Sequence, residues 1–223
     1  MNQRRLEIES NLVEVEKRIT KALEGTGRER DEVTLIVVTK TYPVEDVFLL
    51  YDLGVRNFGE NRDQEGAAKA PQLPNDASWH FQGQIQGRKI SSINEWSDVI
   101  HSLDSLDHAA KFARLEELSS EKAREFFLQI NLESAAEHRG GIAKEELESF
   151  LESCPVTISG LMVVAPLEVD PYSAFSTLSA LASDAGVTKL SMGMSGDFEV
   201  ALKAGATHIR VGSSILGSRT LLA

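Results

Sequence analysis

Eight strand-like segments alternating with helical stretches, a length of 223 residues, and the lack of a glycine-rich dinucleotide turn together predict a single (β/α)8 barrel of the TIM type with an extra N-terminal helix. Alternation forces right-handed crossovers, which make the strands parallel. Barrels of this kind begin at roughly 200 residues, so eight short units fit the chain with little to spare. The competing open, doubly wound sheet calls for G-x-G-x-x-G after the first strand. The residues found there are Thr39-Lys40-Thr41-Tyr42-Pro43. No linker, low-complexity tract or composition shift divides residues 1–223, which read as one domain.

Ile8, Leu12, Val15, Ile19 and Leu23 recur at four-three-four-four spacing, which lines one face of a helix, and Gly25 and Gly27 follow its end. Such a stripe is expected to cover an open end or a side of the barrel. Strands are expected at Val33–Val38, Val55–Phe58, Ser78–Phe81, Val99–His101, Phe126–Asn131, Thr157–Leu161, Lys189–Leu190 and Thr207–Val211. Helices are expected at Val44–Leu53, Asn61–Lys69, Ile85–Ile93, Leu106–Leu118, Lys144–Leu151, Pro171–Asp184 and Asp197–Ala204. Gly54 and Gly205 each close a helix just before a short strand.

Composition narrows the function. Hydrophobic residues at 42% and charged residues at 26% describe an ordinary globular chain. A formal net charge of -11 argues against sequence-independent nucleic-acid binding, which needs clustered Lys and Arg. It leaves room for a local phosphate pocket built from backbone N–H groups. The lone Cys154 can form no internal disulfide and fits a reducing compartment. The N-terminus is too charged for a signal peptide, and runs such as Leu35–Val38 are too short to span a bilayer. A cytoplasmic protein without membrane contact is expected.

In a barrel, reactive side chains stand at the C-terminal ends of the strands. The first strand ends on Val38-Thr39-Lys40, which places a single amine over the mouth, where it can form an imine with an aldehyde. Lys40 also reads as a solvated lysine that begins a loop, and position alone leaves both open. Leu190-Ser191-Met192-Gly193-Met194-Ser195-Gly196-Asp197 follows the seventh strand, and Ile209-Arg210-Val211-Gly212-Ser213-Ser214 surrounds the end of the eighth. Each reads alone as a helix cap or a turn. Together, in the two loops that habitually hold phosphate in this fold, they point to an anion site.

Other motifs carry less. Gly83-Gln-Ile-Gln-Gly87-Arg88-Lys89 lacks the phosphate-loop spacing, and Gly193-Met-Ser195-Gly196-Asp197 lacks the last glycine of a nucleophile elbow. The five histidines, at 80, 101, 108, 138 and 208, form no metal-ligand pair, so no metal is expected. His80, at the end of the third strand, is the one histidine expected near the mouth.

Seven segments carry a family resemblance: Val38-Thr-Lys40-Thr-Tyr-Pro43, Phe58-Gly-Glu-Asn61, Trp79-His-Phe-Gln-Gly83, His101-Ser-Leu-Asp104-Ser105, Gly160-Leu-Met162, Ser191-Met-Gly-Met-Ser195 and Ile209-Arg-Val-Gly212. In this order, across nearly the whole chain, they resemble the pyridoxal phosphate homeostasis proteins, relatives of the N-terminal barrel of alanine racemase. The resemblance implies a barrel that carries pyridoxal 5′-phosphate (PLP) as an internal aldimine on Lys40. It implies further that Asn61 lies near the ring, that Ser191, Met192, Gly212 and Ser213 cradle the phosphate, and that Arg210 faces the pyridine nitrogen. Arg62, Gln82 and Arg88 depart from the family's usual aromatic, aliphatic and Asn. The cofactor contacts are expected to survive these changes, while any surface or partner role of those loops is not carried over.

The implied function is cofactor homeostasis: binding PLP and buffering or delivering it, with little or no catalysis. Arg210 cannot accept a proton and favours a neutral ring nitrogen, which makes a weak electron sink. A racemase also needs a proton donor on each face of the substrate carbon. The alanine racemases draw one from a second domain and a partner subunit, and this sequence ends at Ala223. The alternatives are a PLP-dependent amino-acid racemase or related lyase and, more weakly, a cofactor-free sugar-phosphate aldolase using Lys40. The expected partners are the cofactor and, transiently, PLP-dependent apoenzymes, with the protein itself a monomer.

Overall fold

Eight parallel strands follow chain order around a closed barrel. They are β1 (Thr34–Val38), β2 (Asn57–Glu60), β3 (Ser78–Phe81), β4 (Val99–Leu103) and β5 (Glu125–Asn131), then, past a two-residue β6 (Ile142–Ala143), β7 (Ile158–Met162), β8 (Lys189–Met194) and β9 (His208–Val211). The structure, a computed structural model, describes residues 3–118, 124–133 and 140–217. His138 and Ala223 lie outside these. The last seam pairs β1 with β9, with Thr34 level with His208 and Ile36 level with Arg210, which closes the ring. β6 stands outside it and, among the described residues, pairs with the end of β5, Ile142 opposite Ile130.

Strand side chains alternate between two environments. Leu35 and Val37, Trp79 and Phe81, and Ile209 and Val211 join the large core between barrel and helices. The intervening residues fill the barrel itself, where Val99, Phe127 and Met162 form a small apolar cluster of their own. Around it lie the buried polar groups of His80, His101, Ser191 and Arg210. The interior of this barrel is therefore largely polar, and it has to be satisfied internally.

The outer layer holds α1 (Gln3–Leu23), α2 (Val44–Asp52), α3 (Asp63–Lys69), α4 (Ile90–Trp96), α5 (Leu106–Leu118), α6 (Leu147–Ser153), α7 (Pro171–Asp184), α8 (Phe198–Lys203) and α9 (Ser213–Leu216). α1 buries Ile8, Val15 and Ile19 as its spacing predicts, against α2, α8 and α9. Arg4 grips both carboxylate oxygens of Asp46, at 3.0 and 2.6 Å, and donates to the Leu216 carbonyl at 3.0 Å. Of the two expected positions, α1 thus takes the side, over the junction of the first and last units. Among the described residues no helix is long and apolar enough to cross a membrane.

Several boundaries shift by one to three residues from expectation, and two shift further. α4 begins at Ile90, because Gly87–Lys89 forms a 3-10 turn first. β8 continues to Met194, four residues beyond the predicted Leu190. Its pairing with β9 shifts register between Ser191 and Met194. Gly193 absorbs that irregularity at φ +90°, a conformation L residues avoid, and a Cβ there would lie 2.6 Å from the Ala201 Cβ. Ser191 and Met192 are consequently strand residues.

Candidate functional site

Lys40 leaves the barrel between two pinned neighbours. On one side, Thr39 donates from its N–H to the Gly59 carbonyl at 2.9 Å and from Oγ1 to Glu60 Oε1 at 2.6 Å. On the other, Thr41 sits at φ +69°, where a branched L residue is strained by about 1–2 kcal/mol. Its N–H donates to Glu65 Oε2 at 2.6 Å, which helps hold that turn. Strain of this kind persists where the surroundings over-determine it, typically at working sites.

The Lys40 side chain lines a cavity of about 260 Å³ at the C-terminal ends of the strands. That is near the lower end of ligand pockets, roughly 300–1,000 Å³, and suits one small molecule. Five of the seven residues singled out in the sequence meet there: Lys40, Asn61, Arg210, Gly212 and Ser213. Ser191 and Met192 do not. Extension of β8 carries both into the barrel wall, fully buried, and the lining from this segment is Met194, Ser195 and Gly196. Ser195 joins the two loops, its Oγ accepting from the N–H groups of Gly212 at 3.2 Å and Ser214 at 3.4 Å. Gly212 passes so near β1 that a Cβ would lie 3.1 Å from the Val38 carbonyl oxygen.

Among the described residues the lining contains two cations, Lys40 and Arg210, and no carboxylate, in a chain whose net charge is -11. Arg210 is 5% exposed. Its Nη1 donates to Ser191 Oγ at 2.7 Å and its Nη2 to the Val163 carbonyl at 2.9 Å. Burial lowers its pKa to about 10, with Asp197 opposing, so it stays cationic at neutral pH. The simpler role open to such an arginine, pairing with a barrel carboxylate, is not what these contacts show. Two further lining groups lack partners among the described residues: Asn61 Oδ1, an acceptor, and Gln82 Nε2, a donor. Buried and unpaired, such groups cost about 1–3 kcal/mol each, a deficit that a polar ligand relieves.

Residue reading of the sequence missed Tyr42, Gln82 and Val164, all on the lining. Gln82 was visible only as a departure in a loop, yet it follows β3 directly, where a barrel places functional groups. The other two departures lie away from the cavity: Arg62 pairs with Glu65 at 3.7 Å, and Arg88 donates to Gln86 at 3.4 Å. His80 is not at the mouth. It is buried inside the barrel, bonded to His101 at 2.9 Å and to Asn57 at 3.1 Å.

Comparison with known proteins agrees with this architecture. Residues 14–220 match the alanine racemase N-terminal domain family. The chain is 37% identical over 222 residues to the pyridoxal phosphate homeostasis protein of Corynebacterium glutamicum, covering 93% of this chain and 100% of that one. Among solved structures, a protein of unknown function from Bifidobacterium adolescentis superposes with a TM-score of 0.86 at 30% identity, over 96% of this chain and 97% of that one. PipY of Synechococcus elongatus with PLP bound gives 0.74 at 34% identity, over 89% and 100%.

Proposed function

The chain belongs to the pyridoxal phosphate homeostasis proteins of the alanine racemase N-terminal domain family, and on that premise we propose that it binds PLP at Lys40 to buffer or deliver the cofactor. The observation that carries this reading is the cavity itself, which sets an amine and a buried guanidinium in a lining that holds no carboxylate among the described residues. A small phosphorylated aldehyde suits that donor set. When bound, the cofactor supplies a reactive aldehyde on an electron-withdrawing ring. Lys40 is the amine that would take the aldehyde, and Asn61 and Gln82 would offer it one unpartnered acceptor and one unpartnered donor from the same lining. Ser195, Gly196, Gly212 and Ser213 are the phosphate cradle, in place of Ser191 and Met192.

Set against the ring nitrogen, Arg210 would favour storage over catalysis, since a guanidinium offers hydrogen bonds but no base to share a proton. We infer that residues 1–223 act as one barrel domain and as a monomer, and that PLP-dependent apoenzymes receive the cofactor from it. Adding PLP to the purified protein should produce a visible absorbance band of the lysine-linked cofactor. Borohydride reduction and peptide mapping should place the label on Lys40, and Lys40→Ala should fold but lose the band. Label on Lys89 or Lys203, or no band at all, overturns the reading. Sustained Lys40-dependent racemisation of amino acids would favour an enzyme.

A further inference from the structure

Between Arg210 and the opposite pole of the barrel runs an unbroken line of short hydrogen bonds. Arg210 Nη1 lies 2.7 Å from Ser191 Oγ, and Ser191 Oγ 2.8 Å from His101 Nδ1. His101 Nε2 lies 2.9 Å from His80 Nδ1, and His80 Nε2 3.1 Å from Asn57 Oδ1. Ser191 and His101 are fully buried, and His80 is 2% exposed. We propose that Ser191, His101 and His80 form a polarised, uncharged hydrogen-bond chain that positions the Arg210 guanidinium and serves in place of a carboxylate counterion behind it.

The direction of the chain follows from its two ends. A guanidinium only donates, so Ser191 Oγ accepts from Arg210. At the far end the Asn57 carbonyl oxygen accepts, so His80 carries its hydrogen on Nε2. A neutral imidazole has one donor and one acceptor, so His80 Nδ1 accepts from His101 Nε2–H, and His101 Nδ1 accepts from the Ser191 hydroxyl. The Asn57 end therefore sets the polarity and the Arg210 end accommodates it, with every acceptor turned toward Arg210 and every hydrogen away from it. Burial keeps the imidazoles neutral, holding His80 at about pKa 3 and His101 well below the ordinary range. Phe127 stacks on His101 with ring centroids 4.5 Å apart and planes 14° apart, which fixes the ring's orientation.

A buried cation is ordinarily paired with a carboxylate, because desolvation alone is expensive. Arg210 meets acceptor dipoles instead, from Ser191 and the Val163 carbonyl. A carboxylate in that place would cancel the positive field toward the cavity. The neutral chain leaves that field in place, and on the proposed cofactor reading it is what disfavours a proton on the ring nitrogen. Ser191, His101 and His80 are thus positioning residues that set ring electronics through Arg210.

The chain exists without the cofactor and is tested first without it. In cofactor-free protein labelled with 15N in its imidazoles, NMR at pH 7 should show His80 and His101 both as neutral Nε2–H tautomers. An imidazolium or an Nδ1–H tautomer at either ring overturns the proposal. Ser191→Ala should keep the fold by circular dichroism yet move the Nδ1 resonance of His101 and, through it, that of His80. Unmoved resonances also overturn it. With cofactor bound, Ser191→Asp sets a carboxylate against Arg210. The protonated fraction of a 15N-labelled ring nitrogen should then rise by about tenfold or more at pH 7, one pKa unit. An unchanged fraction removes the counterion role. Failure of the parent protein to take up PLP would instead refute the proposed function, while the tautomer result stands apart from it.

Discussion

Lys69 Nζ donates a 2.9 Å hydrogen bond to the carbonyl oxygen of Thr39, the residue immediately before Lys40. The same ammonium pairs with Glu60 Oε1 at 2.6 Å, and Glu60 is fully buried with Oε2 unpartnered among the described residues. One buried cation on α3 therefore ties together β1, β2 and the turn that presents the proposed cofactor lysine.

Lys69→Met leaves the Glu60 charge buried without a counterion, a change that typically costs about 3–5 kcal/mol. Burial already raises the Glu60 pKa above 4.5, against the opposing pull of Lys69, and removing Lys69 raises it further. A raised carboxyl contributes stability at low pH that is lost as pH rises through its folded value. The deficit of Lys69→Met should therefore be larger at pH 8 than at pH 5, measured by urea unfolding midpoints. Equal deficits at both would show that buried charge is not the cause.

The buried histidines predict a second pH dependence. Burial lowers His208 from 6.5 to about 4, assisted by the positive charges of Lys189 and Arg210. Burial lowers His80 to about 3. A depressed folded pKa gives stability that is present above 6.5 and is lost as pH falls toward the folded value, because only the unfolded chain gains the proton. His208 alone accounts for about 3 kcal/mol across that window. Melting temperature should fall between pH 6.5 and 4, and His208→Gln should flatten the slope. A slope unchanged in that variant would assign the acid sensitivity to other groups.

How far the site could be read from sequence turns on where strands end. Lys40 and Gly212 were legible as mouth residues because each stands just past the end of a strand, the apolar Thr34–Val38 and the alternating His208–Val211, that stops where its pattern stops. Ser191 and Met192 were misplaced because Ser-Met-Gly-Met resembles loop composition, whereas the wall of β8 accommodates it through a register shift at Gly193. Periodicity places α1, since its stripe has a single compatible face. It is silent on the Ser191–His101–His80 line, whose members lie on three strands and meet only once the barrel closes.

Gly212→Val should weaken PLP binding. A Cβ at this position already approaches the Val38 carbonyl oxygen at 3.1 Å, and the branched side chain adds bulk beside the proposed cradle. Loss of one charge-assisted hydrogen bond is worth about 1.5–3 kcal/mol, tenfold or more in affinity. Pyridoxal without its phosphate should lose affinity in the parent protein for the same reason. Fluorescence titration with both ligands checks this, and equal affinity of parent and variant for PLP would remove Gly212 from the cradle.

Arg210→Glu should convert a quiet site into a weakly reactive one. Glu in place of Arg210 removes the cation that disfavours a ring proton and offers an acceptor for one, which strengthens the electron sink. The variant also loses the donors to Ser191 Oγ and the Val163 carbonyl, so Ser191 is left to donate toward the new carboxylate or toward His101. Folding and cofactor content have to be established first, because a buried Glu without a proton partner is costly. With both intact, slow racemisation or transamination of added amino acids should rise above the parent, and the visible band should shift. A folded, loaded Arg210→Glu whose spectrum and side reactions match the parent would show that Arg210 does not govern the ring nitrogen.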